Sequence, residues 1–452
     1  MSGSAQPLRL TVLCCPWLLT SVRIQRQAFR LSVGFSALKS SASCLALGLL
    51  LLAAPAHAKK KSRPVEKAAP AEEAVVHDNG DESFGGDDAT TAGTYTLRTL
   101  IQTRFVRTAT DFGPELESLM QREHPMFEER TYFSNLMRDS ARSNDGLHLE
   151  RVFLRATATP VRSFSVKMLV DFGELVRKNQ KKALKLAFGE LRPTKAITVT
   201  AGLFKIPFSL LELLPIADYE FADVGPTDAL IKDLGFAGRD VGLMVDVAPL
   251  RNGKLLHLQA SVFDGDNDKA QRHVMPAMLA ARAISHPLGP LRVGFDCAYR
   301  PHQVNDTDAG TTFEKYSEGG ACSVDASLSF GHFGLRGEWM AGKRTDTPTI
   351  GTRSRHDFMA AWAVATYRLK LSRKMALLPA LRAEWLDEDQ PLAAGQTTYL
   401  TAAMNLELSS SARLLFDLSR SSVQVGTRDR TAAAPIYKPS ANIGVVQLQL
   451  KL

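Results

Sequence analysis

The sequence has only one long apolar run, CLALGLLLLAAPA at residues 44–56. A helix that crosses a bilayer needs about 20 apolar residues, and no comparable run follows, so a bundle of membrane-spanning helices is excluded. Basic residues precede the run, and it ends in Ala56-His57-Ala58, a small-x-small cleavage pattern. We expect residues 1–58 to be a long leader with a secretory signal peptide, the alternative being a signal anchor that is never cut.

Cysteine and net charge are also scarce once this leader is set aside. Three of the five cysteines lie in it, which leaves Cys297 and Cys322 as an even pair in an oxidising compartment. Antiparallel neighbours are often badly oriented for a disulfide, so the pattern leaves open whether they are bonded. The leader also holds five of the 55 basic residues and none of the 47 acidic ones, so 50 basic residues remain. No basic stripe with interleaved aromatics is present, and nucleic acid is therefore not an expected partner.

The sequence lacks the usual motifs of catalysis and of cofactor binding. His124, His273, His302 and His356 fall in predicted loops, but none accompanies a nucleophile motif such as GxSxG. No glycine-rich phosphate loop and no cluster of cysteine and histidine at metal-ligand spacing occurs. We therefore expect no enzyme, no cofactor and no metal, with an outer-membrane lipase or protease as the rival class.

Residues 59–92 are rich in Ala, Pro, Gly, Asp and Glu and show no hydrophobic periodicity. A segment of this composition cannot bury enough apolar surface to fold, so we expect a disordered periplasmic tail. From residue 93 to residue 452 the chain changes to segments of 9–14 residues in which apolar and polar positions alternate. This alternation predicts β-strands throughout that region.

The segment 163–172 shows the alternation clearly, because Val166 and Met168 share one face and Lys167 and Asp171 share the other. Apolar residues on one face and polar residues on the other are typical of a transmembrane β-barrel, whose outer face meets lipid and whose inner face lines the lumen. By the same rule the outer face of the segment 182–191 carries Leu184, Leu186 and Phe188, and its inner face carries Lys185.

Short and long connections alternate between these segments, and this alternation predicts sixteen strands with the C-terminus on the short-turn side. A soluble β-propeller would need a blade repeat, which is absent. Since only closure removes unpaired strand edges in lipid, we expect residues 441–452 to pair with 94–108. Seven short turns are predicted near 160–162, 192–195, 250–253, 287–290, 331–334, 372–374 and 409–412. Eight longer loops are predicted near 108–145, 174–181, 206–238, 264–275, 301–320, 343–356, 387–396 and 423–440.

The segment 201–245 reads AGLFKIPFSLLELLPIADYEFADVGPTDALIKDLGFAGRDVGLMV. It resembles the phosphate-selective porin O/P family, whose members carry GxFKxPFSLE, a long loop and then GRDxGV. The pair Leu211-Glu212 stands where the family has Glu directly after Leu. The resemblance implies a sixteen-stranded outer-membrane channel, a homotrimer, that conducts anions such as phosphate. The matching positions are Gly202, Phe204, Lys205, Pro207, Phe208, Ser209, Leu210, Gly238, Arg239, Asp240 and Gly242.

Residues 206–238 form the third long loop in this count. Pro207, Pro215 and Pro226 prevent the loop from adding regular strands, and its leucines make it too apolar for a solvated tip. We expect it to fold inward and constrict the barrel, and the alternative is that it packs on a neighbouring subunit.

The predicted inner face is mildly basic, whereas this loop is acidic. Alternation places thirteen Lys or Arg and nine Asp or Glu inward, and Lys232 is the one basic residue of the loop. Basic rings favour anions and acidic rings favour cations, while a phosphate trap needs several converging cations. The pattern therefore favours wall arginines beside an acidic loop, as in a general porin. The predicted pore-lining and constriction residues are Arg98, Arg104, Arg151, Arg155, Lys167, Lys185, Lys205, Glu212, Asp218, Glu220, Asp223, Arg239, Asp240, Arg282, Arg292, Arg336 and Arg382.

Together these patterns predict an all-β transmembrane barrel in the bacterial outer membrane, surrounded by lipid. We expect passive diffusion of small hydrophilic solutes, anionic or neutral, and of ions. The alternative is a structural or adhesive barrel that is plugged, for instance by loop 108–145, and conducts nothing. Interfacial aromatic girdles are expected at Tyr95, Tyr299, Trp339, Trp362, Tyr367, Trp385 and Tyr399.

Overall fold

The computed structural model describes the chain from residue 93 onward, with several gaps in the connections. The predictions for 1–58, for 59–92 and for most of loop 108–145 therefore lie outside the described residues. Among the described residues, none of the helices has the length and apolar character needed to cross a membrane. The described ranges are 93–111, 146–176, 183–250, 256–264, 278–305, 315–347, 354–388, 396–426, 436–438 and 440–452.

The described residues are mostly in β-strands, with short helical pieces in two connections. The helical pieces are α1 (Phe172–Val176), α2 (Leu210–Leu213), a 3-10 turn (Ile216–Asp218) and α3 (Pro226–Asp233). The strands are β1 (Thr94–Asp111), β2 (Gly146–Val161), β3 (Phe164–Asp171), β4 (Leu184–Thr194), β5 (Ile197–Lys205), β6 (Arg239–Leu250), β7 (Leu256–Phe263), β8 (Met278–Leu288), β9 (Leu291–Asn305), β10 (Lys315–Phe330), β11 (Phe333–Thr347), β12 (Ser354–Tyr367), β13 (Leu369–Lys370), β14 (Ala376–Asp387), β15 (Gln396–Ser409), β16 (Ala412–Val423), β17 (Val425–Gly426), β18 (Ile436–Tyr437) and β19 (Ser440–Lys451).

The strands form a closed antiparallel barrel in which each strand pairs with its neighbours in sequence. The short β13 continues β12 beyond Arg368 and pairs with β14, so the wall has the sixteen strands that the sequence predicts. β17 and β18 form a separate two-stranded ribbon. Closure is made by β19 and β1, in a register that runs from Leu100 opposite Lys451 to Asp111 opposite Ser440. The predicted pairing of the last strand with the first is therefore confirmed, and it removes both open edges.

The tight turns fall where short connections were predicted, for example at Gly331–His332 and Ser410–Ser411. On the opposite side of the barrel the strands are longer than predicted. β9 runs to Asn305 and β10 starts at Lys315, within the predicted loop 301–320. Polar residues there continue the hairpin because backbone pairing does not require an apolar side chain.

The two faces of the wall differ in exposure as the alternation predicts. On β3, Val166 and Met168 are exposed, whereas Lys167 is buried. On β14 and β15, exposed Leu381 and Leu400 alternate with buried polar side chains. We call the face of exposed apolar residues the outer face and the enclosed face the inner face.

The prediction for residues 182–191 is wrong for Leu186 and Phe188. Both side chains are buried in the interior cluster of apolar residues, whereas Leu184 is exposed. A register shift between β3 and β4 pairs Leu169 with Leu186 but Val170 with Leu184. This bulge skips Lys185, so that Lys185 and Leu186 both point inward, a reversal that strict alternation cannot show.

Cys297 and Cys322 are directly opposite each other on β9 and β10. Their Cα atoms are 4.1 Å apart and their sulfur atoms form a disulfide. Both positions alternate with buried inner-face residues, so the bond lies on the outer face. The question that the sequence leaves open is therefore answered in favour of a bonded pair.

Candidate functional site

Residues 206–238 connect β5 to β6, and most of them are buried. Ile206, Phe208 and Phe236 expose none of their surface. The segment contains α2, the 3-10 turn and α3 but no strand, in agreement with the effect expected of its prolines. Pro226 occupies the first turn of α3, where its missing N–H is not needed. We call residues 206–238 the inserted segment.

The inserted segment is fixed at its start by Ser209, whose φ of 68° is unusual for a residue with a side chain. Its hydroxyl donates to Glu338 Oε2 at 2.8 Å, and its amide donates to Asp296 Oδ1 at 3.4 Å. The amide of Leu210 donates to Glu338 Oε1 at 3.2 Å. Contacts with two wall carboxylates therefore hold the backbone in this conformation.

Two more wall carboxylates accept amides further along the inserted segment. The amide of Ala222 donates to Asp417 Oδ2 at 2.6 Å. The amide of Thr227, in the first turn of α3, donates to Glu384 Oε2 at 3.0 Å. Buried carboxylates of the inner face thus satisfy backbone donors that have no partner within the segment.

Wall cations and amides hold the carbonyl groups of the same segment. Arg413 donates to Tyr219 O at 2.7 Å, and Arg382 donates to Asp223 O at 2.7 Å. Arg336 pairs with the Glu220 carboxylate. The segment therefore contacts β9, β11, β14, β16 and β19 of its own barrel.

Apolar packing supports these hydrogen bonds. Trp362 joins Leu210, Leu211 and Tyr219 in a buried cluster, and its indole donates to Glu338 at 2.9 Å. The expectation that Trp362 and Tyr399 belong to an interfacial girdle is wrong, since both are 3% exposed. Around Trp362 the inner face of β12 also carries apolar residues such as Val364, so alternation gives no contrast on this strand.

A fully buried ion cluster lies behind the start of the inserted segment. Arg282 donates to Asp296 at 2.7 Å and to Asp325 at 2.8 Å, and these three side chains have no exposed surface. Arg292 donates to the other oxygen of Asp325 at 2.8 Å. Arg282, Arg292 and Arg382 therefore lie on the inner face as predicted. Each of them is paired with a group of the wall or of the inserted segment.

The sector from β2 to β6 is organised differently, because a cavity of about 190 Å³ separates it from the inserted segment. The segment contributes Leu214, Ile216 and Val224 to the cavity, which gives it a partly apolar side. The wall residues lie at strand ends next to the long connections. The charged lining residues are Glu150, Arg151, Asp171, Glu174, Lys185, Lys205, Glu212, Lys232 and Arg239.

Four arginines lie on the inner face of β1 and β2, and one of them, Arg151, lines this cavity. Arg104 pairs with Glu150 at 3.0 Å, and Arg151 donates to Gln102 at 3.0 Å. Arg98 and Arg155 are direct cross-strand partners on the same two strands. We call these four arginines the arginine ladder.

Asp223 of the inserted segment interacts with this ladder. Burial raises the pKa of Asp223, but Arg104, Arg382 and Arg151 together lower it below the usual value. The negative charge of Asp223 therefore lies close to the positive charges of Arg104 and Arg151.

A carboxylate–ammonium–carboxylate triad lies within the inserted segment. Lys232 Nζ is 2.6 Å from Glu212 Oε2 and 2.7 Å from Asp228 Oδ2. Lys205, the last residue of β5, donates to the backbone carbonyl of Glu212 at 2.7 Å. The one basic side chain of the segment is thus shared between two acids.

The remaining predicted site residues are paired on the wall or lie at its rim. Lys167 donates to Glu190 at 3.2 Å, and Lys185 lies 3.5 Å from Glu174. Asp218 is exposed and pairs with Lys451 at 2.8 Å. Two further predicted residues begin β6, where Arg239 lies opposite Lys205 and Asp240 lies opposite Phe204.

A wider cavity of about 850 Å³ opens on the short-turn side of the inserted segment. Arg368, Arg373 and Lys374 contribute to its lining, together with Glu407. Arg368 pairs with both oxygens of Glu407, at 2.9 Å for Nη1. The inserted segment therefore separates a narrow cavity near the long connections from a wide one near the turns.

Several residues that matter here escaped the sequence reasoning. Gln102 donates to Gln449 across the β1–β19 seam at 2.7 Å, and Gln449 donates to Ala217 O at 2.8 Å. Asn405 donates to Glu220 O at 2.8 Å. All three occupy inner-face positions, so a search for uncharged amides in the alternating pattern would have found them.

No family model matches this sequence, and no curated protein sequence matches it. A loop L8 deletion mutant of OmpT, an outer membrane protein of Vibrio cholerae, is 12% identical over 80% of this chain and 100% of its own, with a TM-score of 0.49. An anion-selective porin from Comamonas acidovorans is 11% identical over 80% and 100%, with a TM-score of 0.46. The outer membrane channel DcaP of Acinetobacter baumannii is 11% identical over 79% and 97%, with a TM-score of 0.43. At these values nothing about solutes transfers to this chain, and the resemblance to phosphate-selective porins stays a prediction.

Proposed function

We propose that this chain is a bacterial outer-membrane porin through which small hydrophilic solutes and ions diffuse passively. The observation that carries the proposal is the closed sixteen-stranded wall with an apolar outer face and a charged inner face. Backbone groups in lipid must be paired within the protein, which a closed barrel achieves. An apolar band outside and polar residues inside suit a protein that spans a bilayer and holds water in its lumen.

The inserted segment is the proposed constriction. In this reading it folds into the lumen against β9–β19 and leaves a passage along the arginine ladder and the β2–β6 wall. Its contacts with Asp296, Glu338, Glu384 and Asp417 support a fixed rather than a swinging position. The two cavities on its two sides would be the outer and the turn-side mouths of this passage.

The proposed selectivity is a mild preference for anions without a tight phosphate site. A phosphate trap requires several cations that converge without competing acids. Arg282 and Arg292 are instead paired with carboxylates of the wall, and Arg336 with an acid of the inserted segment. The arginine ladder, faced by Asp223, supports a transverse field that favours small anions weakly.

A second candidate is a plugged barrel with a structural or adhesive role. The dense packing of the inserted segment favours it, since Ile206, Phe208 and Phe236 are completely enclosed. The narrow cavity of about 190 Å³ also sets a tight limit on any passage. The role assigned to loop 108–145 in plugging lies outside the described residues.

Planar-bilayer recording of the refolded protein under a salt gradient distinguishes these functions. The porin proposal predicts stable conductance and a reversal potential of the sign that anion preference produces. Addition of phosphate to both sides is expected to leave the chloride current largely intact, whereas strong block would support the phosphate specificity implied by the family resemblance. Protein that inserts but never conducts would contradict the porin and favour the plugged barrel.

Two further measurements address solute and assembly. Proteoliposomes should swell in small sugars and in zwitterions but not in large oligosaccharides, since neutral solutes are not repelled by the passage. The family resemblance supports a homotrimer, which native mass spectrometry in detergent tests. A monomer as the sole species would contradict that part of the proposal.

A further inference from the structure

We propose that Asp228 sets the ion selectivity of the constriction, because its protonation decides how much of the Lys232 charge reaches the passage. This inference rests on the proposed porin function. The unit concerned is the triad of Glu212, Lys232 and Asp228, which we call the switch triad. The family resemblance concerns only Glu212, next to the first motif, whereas Asp228 and Lys232 lie between its two motifs.

The geometry of the switch triad leaves one cation for two acids. Lys232 Nζ touches both carboxyl groups, at 2.6 Å for Glu212 and 2.7 Å for Asp228. The Lys232 side chain is 36% exposed, whereas the side chains of Glu212 and Asp228 are 4% and 3% exposed. Glu212 and Lys232 line the narrow cavity. The net charge at this point of the passage therefore depends on whether one acid or both are ionised.

One oxygen of each acid is buried without a hydrogen-bond partner. These atoms are Glu212 Oε1 and Asp228 Oδ1, and neither has a partner among the described residues. An ionised carboxylate buried in this way is costly, whereas the protonated acid loses less on burial. Two buried acids beside one ammonium group therefore favour a state in which one acid carries a proton.

The surrounding charges decide which acid keeps the proton. Lys205 and Arg239 lie near Glu212 on the wall side and favour its ionised form. α3 also packs against β14 and β12, where Glu384 accepts the Thr227 amide at 3.0 Å and stands near Arg382. The inner-face residues of β12 from 358 to 366 are uncharged. Asp228 therefore has fewer cations close to it than Glu212 has.

The pKa values agree with this geometry. Burial raises the pKa of Asp228 to about 7, against the pull of Lys232 and with help from Glu212. Burial acts on Glu212 in the same direction, but Lys232, Lys205 and Arg239 lower its pKa to about 2. Below neutral pH the switch triad is then neutral, since only Glu212 and Lys232 are charged. Above neutral pH Asp228 ionises and the triad carries one net negative charge.

A rise in pH adds a negative charge beside the passage, so the preference for anions over cations should fall. For a unit charge about 6 Å from the ion path in water at about 0.1 M salt, the occupancy of each ion changes about twofold, in opposite directions for anions and cations, so their ratio changes about threefold. The preference should change around the pKa of Asp228 and be constant well above and well below it.

The experiment is the reversal potential of the full-length protein in a potassium chloride gradient, from about pH 5 to about pH 9. Wild type should lose about threefold in the anion-to-cation permeability ratio across this range. Asp228→Asn should keep the acidic value at every pH, because an amide resembles the protonated acid. Glu212→Gln should move the midpoint to lower pH, since Lys232 then serves Asp228 alone.

Two control variants separate this effect from other titrating groups. Asp218→Asn removes an exposed aspartate of the same segment that pairs with Lys451, and the pH dependence of the ratio must persist in this variant. His148→Gln removes the histidine beside Arg104 and Glu150, and the pH dependence should again persist. Loss of the pH dependence in His148→Gln would overturn the proposal.

A measurement that needs no conductance completes the test. The infrared difference spectrum between wild type and Asp228→Asn should show a protonated carboxyl band that disappears as the pH rises through about 7. A conducting channel whose selectivity is independent of pH overturns the role of Asp228 but not the porin. A protein that never conducts overturns the porin and the selectivity role together, while the infrared band still reports whether Asp228 titrates near neutrality.

Discussion

The two sides of the barrel use similar inner-face charges for different purposes. On the β9–β19 side, Glu338, Glu384 and Asp417 accept backbone amides of the inserted segment, and Arg382 and Arg413 donate to its carbonyls. These groups are buried, and each is committed to a contact within the protein. They hold the segment in place and are shielded from any solute.

On the β1–β6 side, Arg151 of the arginine ladder and the acids Glu150, Asp171 and Glu174 border a cavity between the wall and the inserted segment. Arg104 and Arg151 have partners, Glu150 and Gln102, yet both remain accessible in part. Alternation alone assigns both sides the same role. The number of inward charges is therefore larger than the number available to solutes, because the charges on one side form hydrogen bonds with the inserted segment.

The buried ion cluster on the anchoring side should give the largest loss of stability. Arg282→Met leaves Asp296 and Asp325 buried with one counter-ion fewer, which should cost about 3–5 kcal/mol of unfolding free energy. Arg368→Met breaks the exposed pair with Glu407 and should cost about 0–1 kcal/mol. Denaturant titration in detergent compares the two variants. Equal losses of unfolding free energy in the two variants would contradict the distinction between buried, paired charges and exposed ones.

Release of the inserted segment should produce the second-largest effect. Glu338→Gln weakens the acceptor that serves Ser209, Leu210 and Trp362, and each buried donor left unpaired costs about 1–3 kcal/mol. We expect higher and noisier single-channel conductance because the start of the segment loosens. Asp357→Asn, on the outer face of β12, is the matched control and should behave as wild type. Unchanged conductance in Glu338→Gln would show that this anchor is dispensable.

The passage side should respond in selectivity rather than in stability. Arg151→Gln removes one charge of the arginine ladder and should lower the anion-to-cation permeability ratio about threefold. Arg420→Gln removes an arginine of the outer face on β16 and should leave the ratio unchanged. Reversal potentials under a salt gradient measure both. A larger effect of Arg420 than of Arg151 would contradict the proposed course of the passage.

The smallest effect is expected at the rim, where Lys451 pairs with the exposed Asp218. Lys451→Gln should change the free energy of unfolding by about 0–1 kcal/mol, since solvent screens such pairs. Thermal unfolding monitored by the mobility shift on a gel would detect a larger loss. A loss as large as that of Arg282→Met would mean that this rim contact is a principal anchor of the inserted segment.

The wall of this molecule could be predicted almost completely from the sequence. Period-two alternation and the two lengths of connection give the strands, their number and the closure of β19 on β1. The errors occur where another principle intervenes. The bulge at Lys185 reverses the faces of Leu186 and Phe188, and the apolar cover of the inserted segment hides the inward position of Trp362.

The candidate site could be predicted only in part. The prolines and leucines indicate a buried, strand-free segment, and the structure contains one at 206–238. The wall charges that pair with this segment are set by contacts such as that of Ser209 with Glu338, which are 129 residues apart in sequence. No local pattern encodes such a contact, and the same holds for the two acids that share Lys232.

The sixteen strands, the inner and outer faces and the closure of the barrel follow from the sequence alone, because local alternation and the need to pair every backbone group leave few other solutions. The folded structure is needed to show which inner-face charges contact the inserted segment and which border the cavity. The reason is physical: the field at any point depends on distances between residues far apart in sequence, and those distances exist only once the segment has packed against the wall.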